Sequence, residues 1–399
     1  MPDPNDSSAT SPLAGLIVVD LTRVLAGPVC GRILADLGAD VIKIEPPDGD
    51  LSREIAPKRD RGNSGLYTLA NAGKRNVSID LARPGARELV LALYARADVV
   101  LENFRPGVAD RLGVGWAALR EANPRAIYCA LSGFGSASAY RDKGAFAPMM
   151  HAVTGVLEWE ARCSGLPLAQ IADNKADMAA GMHGAIAVLA ALVRRFASGR
   201  GERIEVPLFD ALLATYSETA YALLPEPEPR EESRLFDAGP HGFVAIAGTP
   251  QNAWMRFREH TRAVDPARAD ADVPTKARLR HAAIEAWMRA QPSPESIEAQ
   301  LEQAGLSIGR VVTLPEALHG PIASERGLLQ EIDDGRGGTR EVVRAPYYFD
   351  GQTCPVRRPA PSRGQHNAEV LRELLGWDDS RVRELETAGV LVAAPASSR

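Results

Sequence analysis

The sequence predicts an α/β protein in which a mostly parallel sheet is covered by helices on both faces. Three observations carry this prediction. Short runs rich in Val, Ile and Leu, such as Leu16–Leu21, are typical of strands buried on both faces. Such runs are followed by segments with the apolar spacing of a helix. The strand–helix alternation then recurs through the first part of the chain, as it does in parallel sheets.

The elements follow in order along the first half of the chain. Leu16–Leu21 is the first predicted strand, and Gly27–Leu37 has helical spacing, with Gly38 as a stop. Asp40–Glu45 alternates like a strand. Further strands are predicted at 77–81, 99–104, 126–131 and 203–208, and helices at 84–95 and 176–196. This order is that of a Rossmann-like parallel sheet in a large domain.

The second half differs in composition. The charged, Pro-rich stretch near Pro225–Glu232 is typical of a linker. We therefore divide the chain into a large domain at 1–225, a smaller α+β domain at 226–330 and a segment at 331–399 that returns to the large domain. The predicted elements of these parts are a strand at 242–248 and helices at 277–290, 294–304, 368–375 and 380–387.

Composition excludes several function classes. The net charge of −5 over 399 residues is too small, and of the wrong sign, for a nucleic-acid surface. Four widely spaced cysteines form no CxxC pair, so we expect no metal site. The N-terminal residues lack the features of a signal peptide, and the longest apolar run, Gly184–Val193, is short for a bilayer. We expect a cytoplasmic protein that does not enter a membrane.

Common nucleotide-binding motifs are missing from the sequence. The loop after the first strand reads DLTRVLAGP and lacks the G-x-G-x-x-G pattern of dinucleotide folds. Glu45 ends the second strand, where a ribose-binding acid stands in such folds, but without the glycines this signal is weak. The sequence also contains no P-loop, HExxH or GxSxG pattern.

Long segments resemble the class III CoA-transferases, the CaiB–BaiF family. The resemblance rests on VVDLTRVLAGPVCGRILADLGADVIKIEPPDGDLSR, NAGKRNVSIDLARPGARELV, ADVVLENFRPGVADRLGVGWAALREANPRAIYCALSGFG and ADMAAGMHGAIAVLAALVRRFASGRGERIEVPLFDALLA. A weaker resemblance lies in the C-terminal part of the chain, at PSRGQHNAEVLRELLGW. The resemblance implies a protein that moves coenzyme A between carboxylic acids. It also implies a homodimer of interlocked chains, no permanently bound cofactor, and acyl-CoA and a carboxylic acid as substrates.

Asp177 matches the nucleophile of this family, an aspartate four residues before a glycine, here Gly181, at the start of a long helix. A helix N-terminus has free N–H groups that keep a carboxylate ionised and stabilise an oxyanion. The resemblance implies an aspartyl anhydride and an aspartyl-CoA thioester as intermediates. By position alone, Asp177 also fits an ordinary helix cap. Asp173 lacks a following glycine, and we interpret it as a loop or capping residue, while His183 is more typical of a packed or exposed helical residue.

The resemblance also implies residues that contact CoA. They are Val24, Ile79, Asn103, Phe104, Arg111 and Leu112. Arg111 would serve a phosphate and Phe104 the apolar arm. Pro46 and Ala82 stand where formyl-CoA transferase-like members carry basic residues, and Leu25 replaces a polar residue near the reacting carboxylate. We consider Arg53, Lys74 and Arg83 as sources of the missing positive charge.

Two other functions are open at this point. The α-methylacyl-CoA racemases resemble this family and use a histidine in a G-H-D-type segment as a partner base. Here the segment begins at Gly144, and its only histidine, His151, comes several residues later. Racemisation needs two placed acid/base groups, which disfavours it. A CoA-binding protein without catalysis is the alternative of another class, and the setting of Asp177 speaks against it.

Overall fold

The structure is a computed structural model that describes residues 11–55, 63–228, 235–333 and 338–392. Two compact units make up the chain. The first combines the residues up to Thr219 with those from Gly327 onward, and the second is Ala220–Arg326. The domain limits expected from composition, after residues 225 and 330, stay predictions.

Thirteen strands lie within the described ranges. In chain order they are β1 Ile17–Asp20, β2 Asp40–Glu45, β3 Arg75–Ser78, β4 Val99–Glu102, β5 Ile127–Ser132, β6 Arg203–Pro207, β7 Phe236–Asp237, β8 Phe243–Ile246, β9 Ile308–Arg310, β10 Leu329–Asp333, β11 Thr339–Val343, β12 Tyr348–Phe349 and β13 Gln352–Thr353. The first six form the main sheet, and the others form small antiparallel sheets.

The helices connect and cover these strands. In chain order they are α1 Ala26–Asp36, α2 Gly65–Asn71, α3 Ala86–Tyr94, α4 Val108–Arg111, α5 Trp116–Ala122, α6 Ala147–Val153, α7 Val156–Ser164, α8 Lys175–Ser198, α9 Leu208–Thr215, α10 Thr219–Ala222, α11 Pro250–Thr261, α12 Val273–Arg289, α13 Pro294–Gln303, α14 Leu314–His319, α15 Pro321–Glu325, α16 Asn367–Leu375 and α17 Asp379–Thr387. Two short 3-10 helices lie at Leu51–Glu54 and Gly239–His241.

The main sheet is parallel throughout, in the order β3-β2-β1-β4-β5-β6. Val18 of β1 pairs with Val41 of β2 on one side and with Val99 of β4 on the other. The direction in which successive strands are added to the sheet therefore reverses between β1 and β4. In open α/β sheets, ligands bind beyond the carboxyl ends of the strands at such a reversal. This confirms the Rossmann-like sheet and locates the place to look for a site.

Helices cover both faces of the sheet. On one face, α1, α6, α8 and α9 enclose a core with Leu34, Val188 and Leu192. On the other face, α3, α5, α16 and α17 enclose a second core with Leu89, Leu93 and Val370. The C-terminal segment thus returns to the first unit, where Ile79 forms a β-bridge with Leu391.

Helix α8 is the longest in the described ranges, and it has the length and composition to span a membrane. That extent exceeds the apolar run recognised in the sequence. Half of its most apolar window is nevertheless buried inside the protein. It packs along α1 and against β5, which is how the core helix of a folded unit meets the same criteria.

The second unit has its own core. Strands β7, β8 and β9 form an antiparallel sheet in that order. Helices α11, α12 and α13 pack on it through Trp254, Phe257, Met288 and Leu301, all almost fully buried. The mixture of helices with a small antiparallel sheet is the expected α+β composition.

The observed limits differ from the predicted ones mainly at strand ends. Strand β3 occupies Arg75–Ser78 rather than 77–81, because its pairing with β2 begins at Arg75 opposite Ile42. Ten of the observed helices were not predicted, namely α2, α4, α5, α6, α7, α9, α10, α11, α14 and α15, and α2 and α6 are two examples. Ser64 caps α2, and α6 begins with proline at its second residue, so local helix signals were present in both.

Candidate active site

Asp177 lies in the first turn of α8, where it does not act as the helix cap. The N-cap residue is Asn174, and Asp177 is the third residue of the helix. The backbone N–H groups of Ala26 and Ala147 instead lie close enough to the Asp177 carboxylate to lower its pKa. These are the first residues of α1 and α6. Three helix starts therefore converge on one carboxylate, which excludes the interpretation of Asp177 as an ordinary cap.

Glycine at position 181 explains how α8 comes so close to α1. A methyl group there would lie 2.7 Å from the carbonyl oxygen of Ala26 and 2.7 Å from Cγ1 of Val29. Contacts under 3.0 Å are not tolerated, so only glycine fits without a shift. Gly181 lies one helical turn after Asp177 and on the same side of α8. The spacing of four residues thus places the carboxylate beside the N–H of Ala26.

Burial governs the electrostatics of Asp177. Burial raises the pKa of the Asp177 carboxyl to about 6, while the N–H donors of Ala147 and Ala26 act in the opposite direction. We expected the helix terminus to keep the carboxylate ionised. Desolvation outweighs the hydrogen bonds, because few other polar groups replace the lost water. A carboxylate with this raised pKa is ionised at neutral pH and is more basic than an exposed aspartate.

A cavity of about 210 Å³ opens in front of Asp177. Loops after β1, β4 and β5 and the segment leading into α6 form its walls. The lining residues are Arg23, Val24, Ala26, Asn103, Phe104, Arg105, Pro106, Leu131, Ser132, Gly133, Arg141, Lys143, Gly144, Ala145, Phe146, Asp177 and Leu208. The cavity therefore lies at the reversal of the sheet, as expected for this topology.

Three of the residues predicted to contact CoA share this cavity with Asp177. They are Val24, Asn103 and Phe104. Asn103 accepts the N–H of Arg23 at 2.8 Å and donates to its carbonyl oxygen at 2.8 Å, which joins the loops after β1 and β4. The guanidinium of Arg23 lies over the Phe104 ring, 5.6 Å from its centroid. The two loops thus form one wall.

The other three predicted contacts do not line the cavity. Ile79 is fully buried just beyond β3 and packs in the second core. Leu112 packs partly buried against the same core. Arg111 ends the short helix α4 and is exposed. Their contact with CoA stays a prediction.

The three suggested cations differ in their burial and in their ion-pair partners. Lys74 is fully buried, 2.8 Å from Asp20, and Arg53 lies 2.6 Å from the buried Glu45. Neither of these can move to an external phosphate without breaking a buried ion pair. Arg83 is exposed and lies 3.3 Å from Asp80. Our suggestion for Lys74 is therefore wrong, because its burial was not visible from its spacing, whereas the suggestions for Arg53 and Arg83 stay predictions.

The cations that line the cavity were missed by the sequence analysis. They are Arg23, Arg105, Arg141 and Lys143. Arg23 and Arg105 belong to the segments DLTRV and ENFRPG, so a systematic search of the loops after strands would have found them. Arg141 and Lys143 precede α6 in a stretch without strand or helix signals. The cavity holds four cations against the single carboxylate of Asp177, which suits anionic substrates.

An apolar cluster borders the carboxylate on another side. Leu25, Val29 and Ala70 are buried there, with Val24 and Met178 packed against them. Leu25 is the residue that stands where a polar one was expected. Position 25 therefore contributes a buried apolar side chain to this cluster, next to Ala26 in the chain.

His151 is buried in α6 and does not line the cavity. Its Nε2 accepts the N–H of Ala176 at 3.4 Å, and its Nδ1 has no hydrogen-bond partner. Burial lowers the pKa of the ring, with Lys175 acting in the same direction. His151 therefore lies against the start of α8, beside the residue that precedes Asp177, and outside the cavity lining.

Comparisons with known proteins agree with this geometry. The sequence profile described as CoA-transferase family III matches residues 13–367. A succinyl-CoA–L-malate CoA-transferase beta subunit of Chloroflexus aurantiacus is 29% identical over 96% of this chain and 99% of its own. A succinate–glutarate CoA-transferase of Agrobacterium fabrum is 30% identical over 91% of this chain and 96% of its own.

Solved structures give the same result. The crystal structure of a CAIB/BAIF family protein from Brucella suis has a TM-score of 0.75 and is 29% identical, covering 91% of this chain and 99% of that one. The protein Rv3272 of Mycobacterium tuberculosis has a TM-score of 0.74 at 28% identity, covering 90% and 99%. With a profile match over most of its length and a fold shared with these proteins, the chain belongs to CoA-transferase family III.

Proposed function

We propose that the protein transfers coenzyme A from an acyl-CoA to a carboxylic acid, with Asp177 as the covalent nucleophile. The observation that supports this most directly is the position of Asp177. It lies at the wall of a cation-lined cavity, and the N–H groups at the starts of two other helices lower the pKa of its carboxyl. Its family relatives are CoA-transferases by name.

The first half of the reaction makes an enzyme-bound thioester. An oxygen of Asp177 attacks the carbonyl carbon of the acyl-CoA, the C–S bond breaks, and CoA leaves as a thiolate. The thiolate then attacks the aspartyl carbonyl of the anhydride and releases the donor acid as a carboxylate. The N–H groups of Ala26 and Ala147 already point at an Asp177 oxygen, so they stabilise the negative charge that develops there.

The second half reverses these steps with the acceptor. The acceptor carboxylate attacks the aspartyl thioester, giving a new anhydride and free thiolate. The thiolate attacks the acyl carbonyl of the acceptor, and Asp177 leaves as a carboxylate. Each step exchanges one acyl bond for another, so the sequence requires no ATP.

Oxygen exchange tests this route. If the acceptor carries the heavy isotope of oxygen in both carboxylate positions, the first complete turnover leaves one labelled atom on Asp177, and repeated turnovers replace its second carboxylate oxygen as well. Digestion and mass spectrometry should locate a gain of about two mass units after one turnover, rising to about four after many, on the peptide that contains Asp177. Asp177→Asn should show neither label nor CoA transfer. Asp173→Asn is the matched control, because Asp173 is an exposed acid just before the same helix. Full turnover without label at Asp177 would contradict the proposal.

The relatives suggest where a substrate screen should begin. Their names include succinyl-CoA, L-malate, glutarate and oxalate as substrates. Acids with a second carboxylate suit a cavity lined by Arg105, Arg141 and Lys143. The screen should therefore begin with succinyl-CoA and short dicarboxylic acids, followed by monocarboxylic acids of the same length for comparison.

Racemisation is the second function of this fold to be tested. It requires an acid/base pair around the α-carbon, and His151 is not at the cavity. A chiral 2-methylacyl-CoA in deuterium oxide, without acceptor acid, should therefore show no deuterium uptake. Uptake that disappears in a His151→Asn variant would support the racemase instead. A simple CoA-binding protein would fail to form a hydroxylamine-sensitive adduct at Asp177.

We also propose that the protein is a homodimer, as the family resemblance implies. Helix α8 supports this, because its outer face presents the exposed apolar residues Met182, Ile186, Val193 and Phe196. Partly buried Leu189 completes a stripe with alternating spacings of four and three residues. Such a stripe is typical of a helix that packs against another. Sedimentation should give a dimer for the wild type, and Ile186→Glu should weaken it. A monomeric wild type would contradict the proposal.

A further inference from the structure

We propose that the buried ion pair between Lys43 and Asp50 is a positioning device that holds the β1–α1 loop, residues 22–25, in a strained conformation beside Asp177. The inference rests on the proposed function, since it concerns how Asp177 is presented with its N–H donor. Neither Lys43 nor Asp50 lines the cavity, so both act through the loop.

The strain lies at Val24, which has a φ of 68°. A β-branched residue rarely adopts this left-handed conformation, because its Cβ crowds the backbone. Strain of this kind persists only where surrounding contacts enforce it, and it is often found at functional sites. Val24 lines the cavity, and the N–H of Ala26, two residues later, lies close enough to Asp177 to lower the pKa of its carboxyl.

Asp50 supplies the contact that enforces the conformation. The N–H of Val24 points to both carboxylate oxygens of Asp50, at 3.1 Å and 3.3 Å. Lys43 Nζ lies 2.7 Å from Asp50 Oδ2 and donates to the carbonyl oxygen of Thr22 at 2.8 Å. Ser52 orients the carboxylate through its hydroxyl, 2.8 Å from Oδ1. The ion pair thus binds two backbone groups of the loop, the carbonyl oxygen of Thr22 and the N–H of Val24.

A second buried ion pair fixes the start of the same loop. Asp20 accepts the N–H of Thr22 at 2.9 Å, and Lys74 lies 2.8 Å from Asp20. Lys74 also donates to the carbonyl oxygen of Pro28 in α1 at 2.9 Å. With Asn103 bound to the N–H and carbonyl of Arg23, the polar backbone groups from Thr22 to the N–H of Val24 are all held.

The burial of these charges argues for a geometric role. The side chains of Lys43 and Asp50 are 1% and 0% exposed, and those of Lys74 and Asp20 are 0% exposed. Removing two charges from water costs more than most buried ion pairs return, and apolar residues of similar volume often serve stability as well or better. Two such pairs ending on the backbone of one loop therefore indicate that the loop conformation is what they maintain.

The test uses Asp50→Asn, Val24→Gly and the double variant. Asp50→Asn leaves Lys43 unpaired, so the loop should relax and kcat should fall at least about tenfold. Glycine adopts a φ of 68° readily, so Val24→Gly should raise KM through the lost contact, and it is the background against which the double variant is compared. In the double variant, glycine at position 24 adopts the left-handed conformation without strain, so the ion pair is no longer needed to enforce it. Part of the kcat that is lost in Asp50→Asn should therefore return. Absence of any such rescue would overturn the proposal.

The pKa of Asp177 provides a readout that general destabilisation does not move. It is measured by NMR with carbon-labelled aspartate, without any substrate. Loss of the N–H of Ala26 removes an influence that lowers this pKa, so the pKa should rise in Asp50→Asn. Arg105, Arg141 and Lys143 on the surrounding elements are unchanged in this variant, and burial and the N–H groups of Ala147 and Ala26 are the influences that set this pKa.

Two further variants complete the design. Asp36→Asn breaks another buried ion pair, with Arg32 at 2.7 Å, which makes no contact with the loop. It should leave both kcat and the pKa of Asp177 near wild type, and equal effects in Asp36→Asn would overturn the proposal. If Asp50→Asn does not fold, Ser52→Ala is used, with the same directions at smaller size. An unchanged Asp177 pKa in either Asp50→Asn or Ser52→Ala refutes the proposal that the ion pair of Lys43 and Asp50 positions the loop, whether or not CoA transfer is observed.

Discussion

Replacing Gly181 by alanine tests how closely α8 must approach α1 for the nucleophile to work. The added methyl would meet the carbonyl oxygen of Ala26 and Cγ1 of Val29, each at 2.7 Å. A side-chain end can rotate away, but the backbone oxygen of Ala26 cannot. The two helices must therefore separate by several tenths of an ångström, or more, at the point where Asp177 meets the N–H of Ala26.

The magnitude follows from two opposing effects. Overpacking a tight contact costs about 1–3 kcal/mol. Alanine in place of glycine in a helix returns about 1 kcal/mol. We expect a net loss of about 1 kcal/mol, or a fall in melting temperature of about 2–4 °C for a unit of this size. Because displacements of about 1 Å in an active site cost up to ~100-fold in rate, kcat should fall by about tenfold or more.

Thermal unfolding and steady-state CoA transfer are the assays, and Gly184→Ala is the control. In that variant the methyl lies 3.2 Å from Cys30 Sγ and 3.2 Å from Leu131 Cδ2, both of which are side-chain atoms. Gly184→Ala should therefore keep the wild-type kcat within about threefold. A Gly181→Ala variant with the wild-type melting temperature and kcat would refute the argument from close packing.

Three other predictions concern charge. Because Asp177 attacks as a carboxylate and its pKa is about 6, kcat/KM should fall about tenfold per pH unit below that value, and a flat profile down to pH ~5 would contradict this. Because the pKa of the Asp177 carboxyl is raised on folding, its ionised form lowers the stability of the protein above pH ~6 and not below pH ~4. Asp177→Asn should therefore be more stable than the wild type at pH ~8, by at most about 2–3 kcal/mol, and equally stable at pH ~4. Chemical denaturation at both pH values measures this difference, and a variant that is less stable at both would count against it. Arg111→Ala should raise the KM for CoA with little change in kcat, and a fall in kcat alone would assign Arg111 a different role.

The placement of Asp177 shows a conflict between stability and function. Burial raises its pKa and makes the ionised form costly, yet the same burial strengthens every interaction with the N–H groups of Ala26 and Ala147. Activity near neutral pH therefore requires that the folded protein carry a desolvated charge. The three helix starts partly offset this cost, and the packing at Gly181 keeps them together.

Much of the fold follows from local pattern. Asp40–Glu45 is the strand that the alternation predicts, and the long Ala-rich helix predicted at 176–196 extends by only a few residues, to Lys175–Ser198. Buried parallel strands and long helices have periodic apolar patterns that a single sequence displays. The motif around Asp177 likewise indicates the family and the candidate nucleophile from the sequence alone.

The sequence by itself determined the α/β class, the order of the main strands and helices, and Asp177 as the candidate nucleophile. Only the tertiary structure decided which cations face the cavity, because Lys74 and Arg53 differ from Arg105 and Lys143 in burial and not in residue chemistry. It also decided the pKa of Asp177, since desolvation depends on every group packed around the carboxylate. Both properties arise from residues far apart in the chain, and distances of that kind leave no periodic pattern in a sequence.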